Sequence, residues 1–517
     1  MKLIPLLHFY QPYNQQKDIL DRIVNECYRP LVRGLLENSN TKIVVNISGA
    51  LVDLLLENSY SDVIEGLNTL HTRNQIEFTG SAMYHAFLPL LPKEEIINQI
   101  QLNEKTLKKH FSSFSPVGFF SPEMAVSSKV LEVISSLNYK WLAAPQVAYG
   151  SDRPIPDKIF QENESNLYIM FRNKRVSSLL LSGVVRNSKQ LLKETVDLQK
   201  TDSYWFVVMD AETFGHHRVG LDKVFFDVLS NGEIQSLTVS DLLSLEMPVE
   251  KVNLRASTWT NQEQDFWLDK EKKTATDAKS FILWSDPENP IHKLQWDLTN
   301  SVINEVNNYS NKSLDSWKKA RQLLNKAIAS DQYWWASVKP WWSLEMLEQG
   351  AFTLKEVLKL LNSESSDSYK KALSFYRQIL DQAFEWQRSG YIREKHLINS
   401  STYMKKPFKE RTPTEWYNQI VLEFEDQMRK AAEKNNFEEA IKWRDALIKL
   451  KQGTDIYDVL HVVDELWSAR NIPEVKPFLQ HKWEELSSFA KEYFAGVPTK
   501  EAFEEWKKEN SKQPSSK

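Results

Sequence analysis

The sequence predicts an α/β fold built from parallel strand–helix units, followed by a helical region. Short apolar segments alternate with amphipathic segments from the start of the chain to about residue 250. From about Ile291 onward, strand signals nearly vanish and long helical patterns take over. The 517 residues are 41% hydrophobic and 26% charged, which is enough to bury a sizeable core. Strand–helix alternation indicates either a barrel or a doubly wound sheet.

Apolar segments of strand length recur along the first part of the chain. They predict buried strands at Leu3–Phe9, Lys42–Ser48, Gln75–Ser81, Val117–Glu123, Lys140–Pro145 and Tyr204–Glu212. Helical patterns such as Lys93–His110 and Ser128–Leu137 separate several of them. Both candidate architectures place their active sites at the carboxyl ends of the strands, so candidate chemistry is sought there.

The second part of the chain is predicted to be helical. Helical patterns cover Ser313–Ser330, Leu354–Leu361, Ser368–Arg388 and Glu415–Lys451. The turn-forming segment from Asp286 to Pro290 predicts the boundary with the first part, and a polar, proline-containing segment around Ser400 to Pro413 predicts a second boundary.

Composition excludes several classes of protein. Lys and Arg total 65 against 69 Asp and Glu, so the net charge of −4 provides no field for nucleic acid or an anionic membrane. One cysteine, Cys27, excludes an internal disulfide framework and a multi-thiolate zinc site. No apolar run approaches the ~18 residues of a membrane span, and the first residues do not resemble a signal peptide. We therefore expect a soluble, cytoplasmic protein, unusual mainly for its 17 Trp, 18 Tyr and 25 Phe.

Two carboxylates are prominent by position, because Glu123 and Asp210 each follow an apolar, strand-like run. A carboxyl group at the end of a buried strand is rigidly held and partly desolvated, which raises its pKa and suits acid/base or nucleophilic work. An ordinary ion pair or a helix cap is the alternative explanation for each position.

Five segments of the sequence together resemble the motifs of a known enzyme family. They are LHFYQPY (Leu7–Tyr13), QIEFTGSAMYHAFLPLLP (Gln75–Pro92), GFFSPEMAVS (Gly118–Ser127), VVMDAETFGHH (Val207–His217) and ARQLLNKAIASDQYWWAS (Ala320–Ser337). In this order the set resembles the five regions of glycoside hydrolase family 57, over about Met1 to Gly350. The resemblance implies a (β/α)7-type barrel followed by a helical region, and retaining chemistry on α-linked glucans.

The resemblance also implies roles for individual residues. Glu123 would be the nucleophile and Asp210 the general acid/base, with carboxyl groups about 5–5.5 Å apart as retaining enzymes require. Polar residues at the motif positions would bind substrate: His8, Gln11, Glu77, His85, Glu212 and Asp331. Flat aromatic faces stack on sugar rings, so we also expect Trp259, and Trp334 or its neighbour Trp335, to contact the substrate. A polar contact beneath the barrel rim is the alternative for Glu77, and a supporting ion pair is the alternative for Glu212.

The first region departs from the family pattern, which is usually His-x-His-Gln-Pro. Here Tyr10 replaces the second histidine, and a phenol can donate a hydrogen bond but carries no positive charge at neutral pH. His216 and His217 beside Asp210 could suggest a metal site, but adjacent side chains point apart. We therefore expect no metal and no other cofactor.

The segment Phe424–Leu450, FEDQMRKAAEKNNFEEAIKWRDALIKL, resembles the UVR helical hairpin of bacterial excision-repair subunits. We expect two helices that break near Lys434 to Asn436 and bury Met428, Ala432, Phe437, Ala440 and Leu447 between them. The resemblance implies a protein partner or self-association, and a hairpin packed on the enzyme is the alternative. Basic and acidic residues are matched on these helices, so no nucleic-acid partner is expected.

These observations predict four segments and one main function. The segments are a barrel at 1–286, a helical region completing the cleft at 287–413, the UVR-like hairpin at 414–452, and a helical tail with a frayed end at 453–517. The expected function is retaining chemistry on α-1,4-glucans or maltooligosaccharides, by hydrolysis or by glucan transfer. The alternatives are a catalytically impaired glucan-binding protein and a metal-dependent carbohydrate hydrolase or deacetylase.

Overall fold

The computed structural model describes residues 1–150, 157–181, 185, 187–199, 203–260, 280–338, 341–362, 364–399 and 414–451. The predicted boundary at 400–413 and the predicted tail at 453–517 lie outside the described residues.

Ten strands in the described residues form one sheet, in the order β10-β6-β7-β5-β4-β3-β2-β1-β8, with β9 beside β1. The strands are β1 (Lys2–Phe9), β2 (Ile43–Ile47), β3 (Ile76–Gly80), β4 (Gly118–Phe119), β5 (Trp141–Ala144), β6 (Ile159–Glu162), β7 (Tyr168–Phe171), β8 (Tyr204–Asp210), β9 (Gln235–Ser236) and β10 (Val249–Val252). Every ladder is parallel except that between β6 and β7. The prediction of parallel units is therefore confirmed.

The sheet curls so that the residues following β7, near one side of the sheet, come close to β8 on the other side. Asn173 N donates a hydrogen bond to the Phe206 carbonyl of β8 at 2.7 Å, and Arg172 Nε donates to the Val208 carbonyl at 3.1 Å. Strands β8-β1-β2-β3-β4-β5-β7 then follow one another around an interior that includes Leu6 and Trp141. The expected (β/α)7-type barrel is confirmed.

Helices cover the outside of this barrel, except that the last one given below packs its Val239 and Leu242 against the interior residues. They are α1 (Lys17–Ile23), α2 (Arg29–Glu37), α3 (Gly49–Glu57), α4 (Ser61–Thr72), α5 (Lys93–His110), α6 (Ser128–Ser136), α7 (Lys174–Leu181), α8 (Ser188–Glu194), α9 (Leu221–Leu229) and α10 (Val239–Leu243). Alternate strand residues such as Leu7 and Val45 point outward and join helix residues such as Leu31 and Leu51 in one core. The period of two in a strand therefore sends one set of side chains to the helices and the other to the barrel interior.

A helical region follows the barrel and packs against it. Its helices are α11 (Pro290–Asn307), α12 (Asp315–Ala327), α13 (Asp331–Trp334), α14 (Leu344–Leu361), α15 (Asp367–Arg388) and α16 (Tyr391–Asn399). Barrel residues such as Phe87 and Leu142 share a core with Ile291 and Leu354 of these helices. The predicted helical character is confirmed, whereas the division at residue 286 stays a prediction.

Two further helices, Thr414–Glu433 and Phe437–Lys451, form the C-terminal hairpin. The break at Lys434 to Asn436 is where the sequence predicts it. The expected burial of Phe437 is wrong, because this side chain begins the second helix and is 62% exposed. Trp443 fills the space between the helices instead, with its ring 5.3 Å from that of Phe424. Over the described residues, we find no helix that combines the length and the apolar character of a membrane span.

Candidate active site

The floor of the candidate site consists of inward-facing polar residues at the carboxyl ends of neighbouring strands. His8 of β1 is in register with Asn46 of β2 on one side and with Asp210 of β8 on the other. The Asn46 side-chain oxygen lies 2.6 Å from His8 Nδ1, and its nitrogen donates to Thr79 Oγ1 at 2.8 Å. Because Asn46 uses its oxygen toward His8, Nδ1 of His8 is the donor. Burial lowers the pKa of His8 to about 4, so this imidazole is neutral.

Glu123 lies in a strained turn and not within a strand. The predicted strand Val117–Glu123 is shortened to Gly118–Phe119, and the chain then makes one tight helical turn at Pro122–Met124. Glu123 has φ +60° and Met124 has φ +44°, a left-handed conformation that is uncommon for residues with a side chain. Such strain persists when surrounding contacts hold it, and it is common at functional sites.

Trp259 supplies two of those contacts. Its indole Nε1 donates to Glu123 Oε2 at 2.8 Å, and its backbone N–H donates to the Glu123 carbonyl at 3.3 Å. The Glu123 side chain is 18% exposed, so its carboxyl group is accessible to a ligand. Trp259 therefore holds the carboxyl group of Glu123, in addition to any contact with sugar.

The two candidate catalytic carboxyl groups share an unusual electrostatic environment. Burial raises the pKa of Glu123 to about 8, and the charges of Asp210 and Asp331 raise it in the same direction. Burial raises the pKa of Asp210 to about 7, with a further contribution from Glu212, whereas Arg172 and His217 lower it. Near neutral pH the two groups together therefore retain a proton.

Glu212 and the two histidines complete the Asp210 side. Gln11 Nε2 donates to Glu212 Oε2 at 2.6 Å, and His217 Nε2 lies 3.4 Å from Glu212 Oε1. His216 turns away and pairs with Glu26 at 2.6 Å. The structure thus brings Gln11 and Glu212 to the site, and the adjacent histidines point to different partners as expected.

A stack of aromatic rings joins the barrel to the helical region. The Tyr10 ring lies 3.9 Å from that of His85, which in turn lies 5.2 Å from the ring of His8. Tyr10 donates its hydroxyl hydrogen to Asp331 Oδ2 at 2.7 Å, and His85 Nδ1 lies 2.9 Å from Ser330 Oγ. Asp331 therefore reaches the site from α13, 321 residues away in the chain.

The structure places Glu77 outside this cluster, and the expectation that it binds sugar stays a prediction. Glu77 precedes the inward-facing Thr79 by two residues, which is about 7 Å lower along the strand. Its Oε1 accepts a hydrogen bond from Trp141 Nε1 at 3.0 Å, and its Oε2 accepts one from the Ser240 backbone N–H at 2.8 Å. Both oxygens therefore have partners within the protein, which agrees with the alternative of a polar contact beneath the rim.

Trp334 lies in an aromatic group of the helical region. Its ring is 5.1 Å from that of Trp284 and 5.9 Å from that of Trp341, and the side chain is half-buried. Its role as a sugar platform stays a prediction.

Arg172 is the main site residue that the sequence analysis missed. It follows β7, a strand that was not predicted, and its guanidinium carbon lies 5.7 Å from the Trp259 ring. The segment YIMFR has the same form as FVVMD, an apolar run ending in a charged residue, and that signal could have identified it. Asn46 and Phe120, whose ring lies 4.7 Å from that of His8, carry no comparable signal.

Comparison with known proteins agrees with this geometry. Residues 5–256 match the model of glycosyl hydrolase family 57, and residues 420–453 match the UvrB/uvrC motif. The resemblance to family 57 glycoside hydrolases is thus confirmed over residues 5–256. The UVR resemblance of the hairpin is confirmed in the same way.

The curated relatives include alpha-amylases and 4-alpha-glucanotransferases by name. An alpha-amylase of Pyrococcus horikoshii is 24% identical over 267 residues, covering 49% of this chain and 42% of the relative. A 4-alpha-glucanotransferase of Thermococcus litoralis is 22% identical over 291 residues, covering 53% of this chain and 42% of the relative. The chain therefore spans less than half the length of these curated relatives.

Solved structures show the same fold. The 4-alpha-glucanotransferase from Thermococcus litoralis superposes with a TM-score of 0.57 and 17% identity, over 70% of this chain and 60% of that one. The alpha-amylase AmyC from Thermotoga maritima gives 0.56 and 14%, over 74% and 96%. A branching enzyme from Pyrococcus horikoshii gives 0.56 and 13%, over 73% and 94%.

Proposed function

We propose that this protein is a retaining enzyme acting on α-1,4-glucans, with Glu123 as nucleophile and Asp210 as general acid/base. The observation that carries the proposal is the pair of half-buried carboxyl groups that follow β4 and β8, with the charge of Asp210 raising the pKa of Glu123. Retaining hydrolysis needs one ionised and one protonated carboxyl group at the same bond. A pair that retains a proton near neutral pH supplies that combination.

Two chemical steps follow from this arrangement. The Glu123 carboxylate attacks the anomeric carbon while the Asp210 carboxyl group protonates the departing glycosidic oxygen, which gives a glycosyl–enzyme ester. Asp210, now ionised, then removes a proton from water or from a sugar hydroxyl as that oxygen attacks the ester. The first acceptor gives hydrolysis and the second gives glucan transfer.

The assignment of the two roles rests on position and family resemblance. The Trp259 indole donates to Glu123, which favours the ionised form that a nucleophile needs. Glu212 lies beside Asp210 and its charge favours the protonated form of Asp210 that an acid needs. Burial raises the pKa of Glu123 at least as much as that of Asp210. The two pKa values therefore do not by themselves show which group is the nucleophile and which is the acid.

Substitution of each carboxylate separates the roles. Glu123→Gln should abolish turnover of maltooligosaccharides and of α-glucosyl fluoride, because no glycosyl ester can form. Asp210→Asn should abolish turnover of maltooligosaccharides but form the ester readily from the fluoride, which needs little protonation. Glu77→Gln is the matched control, since it changes a buried carboxyl group outside the site and should keep activity. Equal loss of the first step with both leaving groups in Asp210→Asn would contradict the acid role.

The products of a single maltooligosaccharide decide between the two outcomes and test retention. A rise in reducing ends indicates hydrolysis, whereas a ladder of longer and shorter chains without that rise indicates transfer. We favour hydrolysis because the MDAETFGHH segment is closest to the amylase form of the fourth region. Proton NMR of the first products should show the α-anomer, and initial release of the β-anomer would refute the retaining mechanism.

A further inference from the structure

Arg172 contacts both halves of the candidate site. It directly follows β7, and its backbone N–H donates to the Ala144 carbonyl of β5 at 2.8 Å. Its side-chain Nε donates to the carbonyl of Val208 at 3.1 Å, two residues before Asp210 on β8. The guanidinium group therefore spans the seam where the two flanks of the sheet meet.

The same guanidinium group lies over Trp259. The distance from its carbon to the centre of the indole ring is 5.7 Å, within the range of a cation–π contact. Trp259 in turn donates to the carboxyl group of Glu123 at 2.8 Å. One side chain is thus linked to Glu123 through an indole and to the Asp210 strand through a backbone carbonyl.

We propose that Arg172 is a positioning residue that orients the Glu123 and Asp210 carboxyl groups toward each other. It acts through Trp259 on one side and through the end of β8 on the other, and it brings a positive charge to a site rich in carboxylates. The expected effect of Arg172 on kcat rests on the proposed function. Its expected effect on the pKa of Asp210 can be measured without turnover.

The charges around Asp210 set the expected direction. Glu212 raises the pKa of Asp210, whereas Arg172 and His217 lower it. Asp210 in turn raises the pKa of Glu123 and of the buried Tyr28 hydroxyl. Neighbouring His8 is neutral, because burial lowers its pKa to about 4. Loss of the Arg172 charge should therefore make ionised Asp210 less stable and raise its pKa further.

Two substitutions of Arg172 distinguish the effect of its positive charge from the effect of its hydrogen bond to β8. Arg172→Met removes the positive charge and the hydrogen bond to Val208, whereas Arg172→Lys removes the guanidinium geometry but keeps the charge. In the pH profile of kcat/KM, Arg172→Met should move the acidic limb, which follows the lower pKa of Asp210, upward by about one pH unit, and Arg172→Lys should leave it in place. Both should lower kcat with little change in KM, because neither substitution removes a group placed on the sugar.

Thermal unfolding from pH 6 to pH 9 gives a second readout. A carboxyl group whose pKa is raised on folding destabilises the folded protein as pH rises through that pKa. The gap in Tm between Arg172→Met and Arg172→Lys should therefore widen as pH rises. Two results would overturn the inference: equal losses of kcat in both variants with an unchanged pH profile, or a Tm difference that stays constant with pH. Arg172 would then only hold β7 and β8 together. A wild-type protein inactive on every α-glucan would overturn the proposed function, and the Tm comparison would still decide the role of Arg172.

Discussion

At the scale of single residues, protonation of two carboxyl groups governs the proposed chemistry. Burial is the main reason that the pKa of Glu123 rises to about 8 and that of Asp210 to about 7. The same burial keeps His8 and His85 neutral, since it lowers the pKa of each imidazole. Neither of these two imidazoles therefore brings a positive charge to the site near neutral pH.

These values predict a bell-shaped pH profile of kcat/KM with its maximum between about pH 7 and pH 8. Below about pH 7 both carboxyl groups are protonated and no nucleophile is present. Above about pH 8 both are ionised and no acid is present. Initial rates on a maltooligosaccharide across pH 5 to 9 test this, and full activity at pH 5 would show that the pKa values are close to ordinary.

Tyr10 gives a second prediction at this scale, because its hydroxyl binds the buried carboxyl group of Asp331. Tyr10→Phe leaves that group without this donor, which should lower the free energy of unfolding by about 1–3 kcal/mol. Tyr10→His, the residue usual in the family, should recover part of the loss by restoring a donor. Denaturant unfolding with Tyr84→Phe as the control tests this, and equal stability of Tyr10→Phe and wild type would contradict it.

At the scale of secondary-structure elements, buried polar contacts fix how the barrel is filled. Glu77 joins β3 to Trp141 of β5 and to the first turn of α10, where it accepts from the Ser240 N–H. The helix start also carries a capping box between Thr238 and Asp241. These contacts link β3 to α10, and from them we expect a structural role for Glu77.

Glu77→Ala should therefore reduce stability without changing substrate binding. It leaves the N–H of the buried Trp141 without its acceptor, at a cost of about 1–3 kcal/mol, whereas the exposed Ser240 N–H can bond to water instead. Glu77→Gln keeps one acceptor oxygen and should lose less. Denaturant unfolding and KM on a maltooligosaccharide are the measurements. Unchanged stability together with a large rise in KM would show that Glu77 binds the sugar instead.

At the scale of the whole molecule, the barrel and the helical region form one site, while the hairpin lies outside it. Asp331 from α13 meets Tyr10 from the end of β1, so the helical region completes the site. The hairpin instead contributes Tyr417, Phe424 and Trp443 to the core that covers the outer face of the barrel. Docking on the barrel is therefore the arrangement that the structure favours.

Deletion of residues 414–517 should leave turnover of short maltooligosaccharides largely intact. It should lower solubility, because removal of the hairpin exposes the apolar surface beneath it. Sedimentation, thermal unfolding and activity of the truncated protein test this, and a shift toward monomer would show docking on another chain. Loss of catalysis with unchanged solubility, mass and stability would place the deleted residues in the active site.

Local pattern predicted much of the fold. The helix at Lys93–His110 has the predicted bounds, and the strand predicted at Leu3–Phe9 is observed at Lys2–Phe9. These segments have a strong period, and each buries one face regardless of distant contacts. Short strands such as β6 and β7 were missed, since four residues carry too little periodicity.

The sequence by itself determined the α/β class, the order of the motifs and the identity of Glu123 and Asp210 as candidates, because apolar periodicity and motif wording are local. The tertiary structure decided which polar residues meet. It turned Glu77 toward α10, brought Asp331 to Tyr10, and placed Arg172 between Trp259 and β8. These contacts depend on barrel curvature and on inward or outward facing along each strand. A shift of one residue moves every side chain of a strand from the barrel interior to the outside or the reverse. In strands that are buried on both faces, the local sequence pattern does not show which side chains face inward.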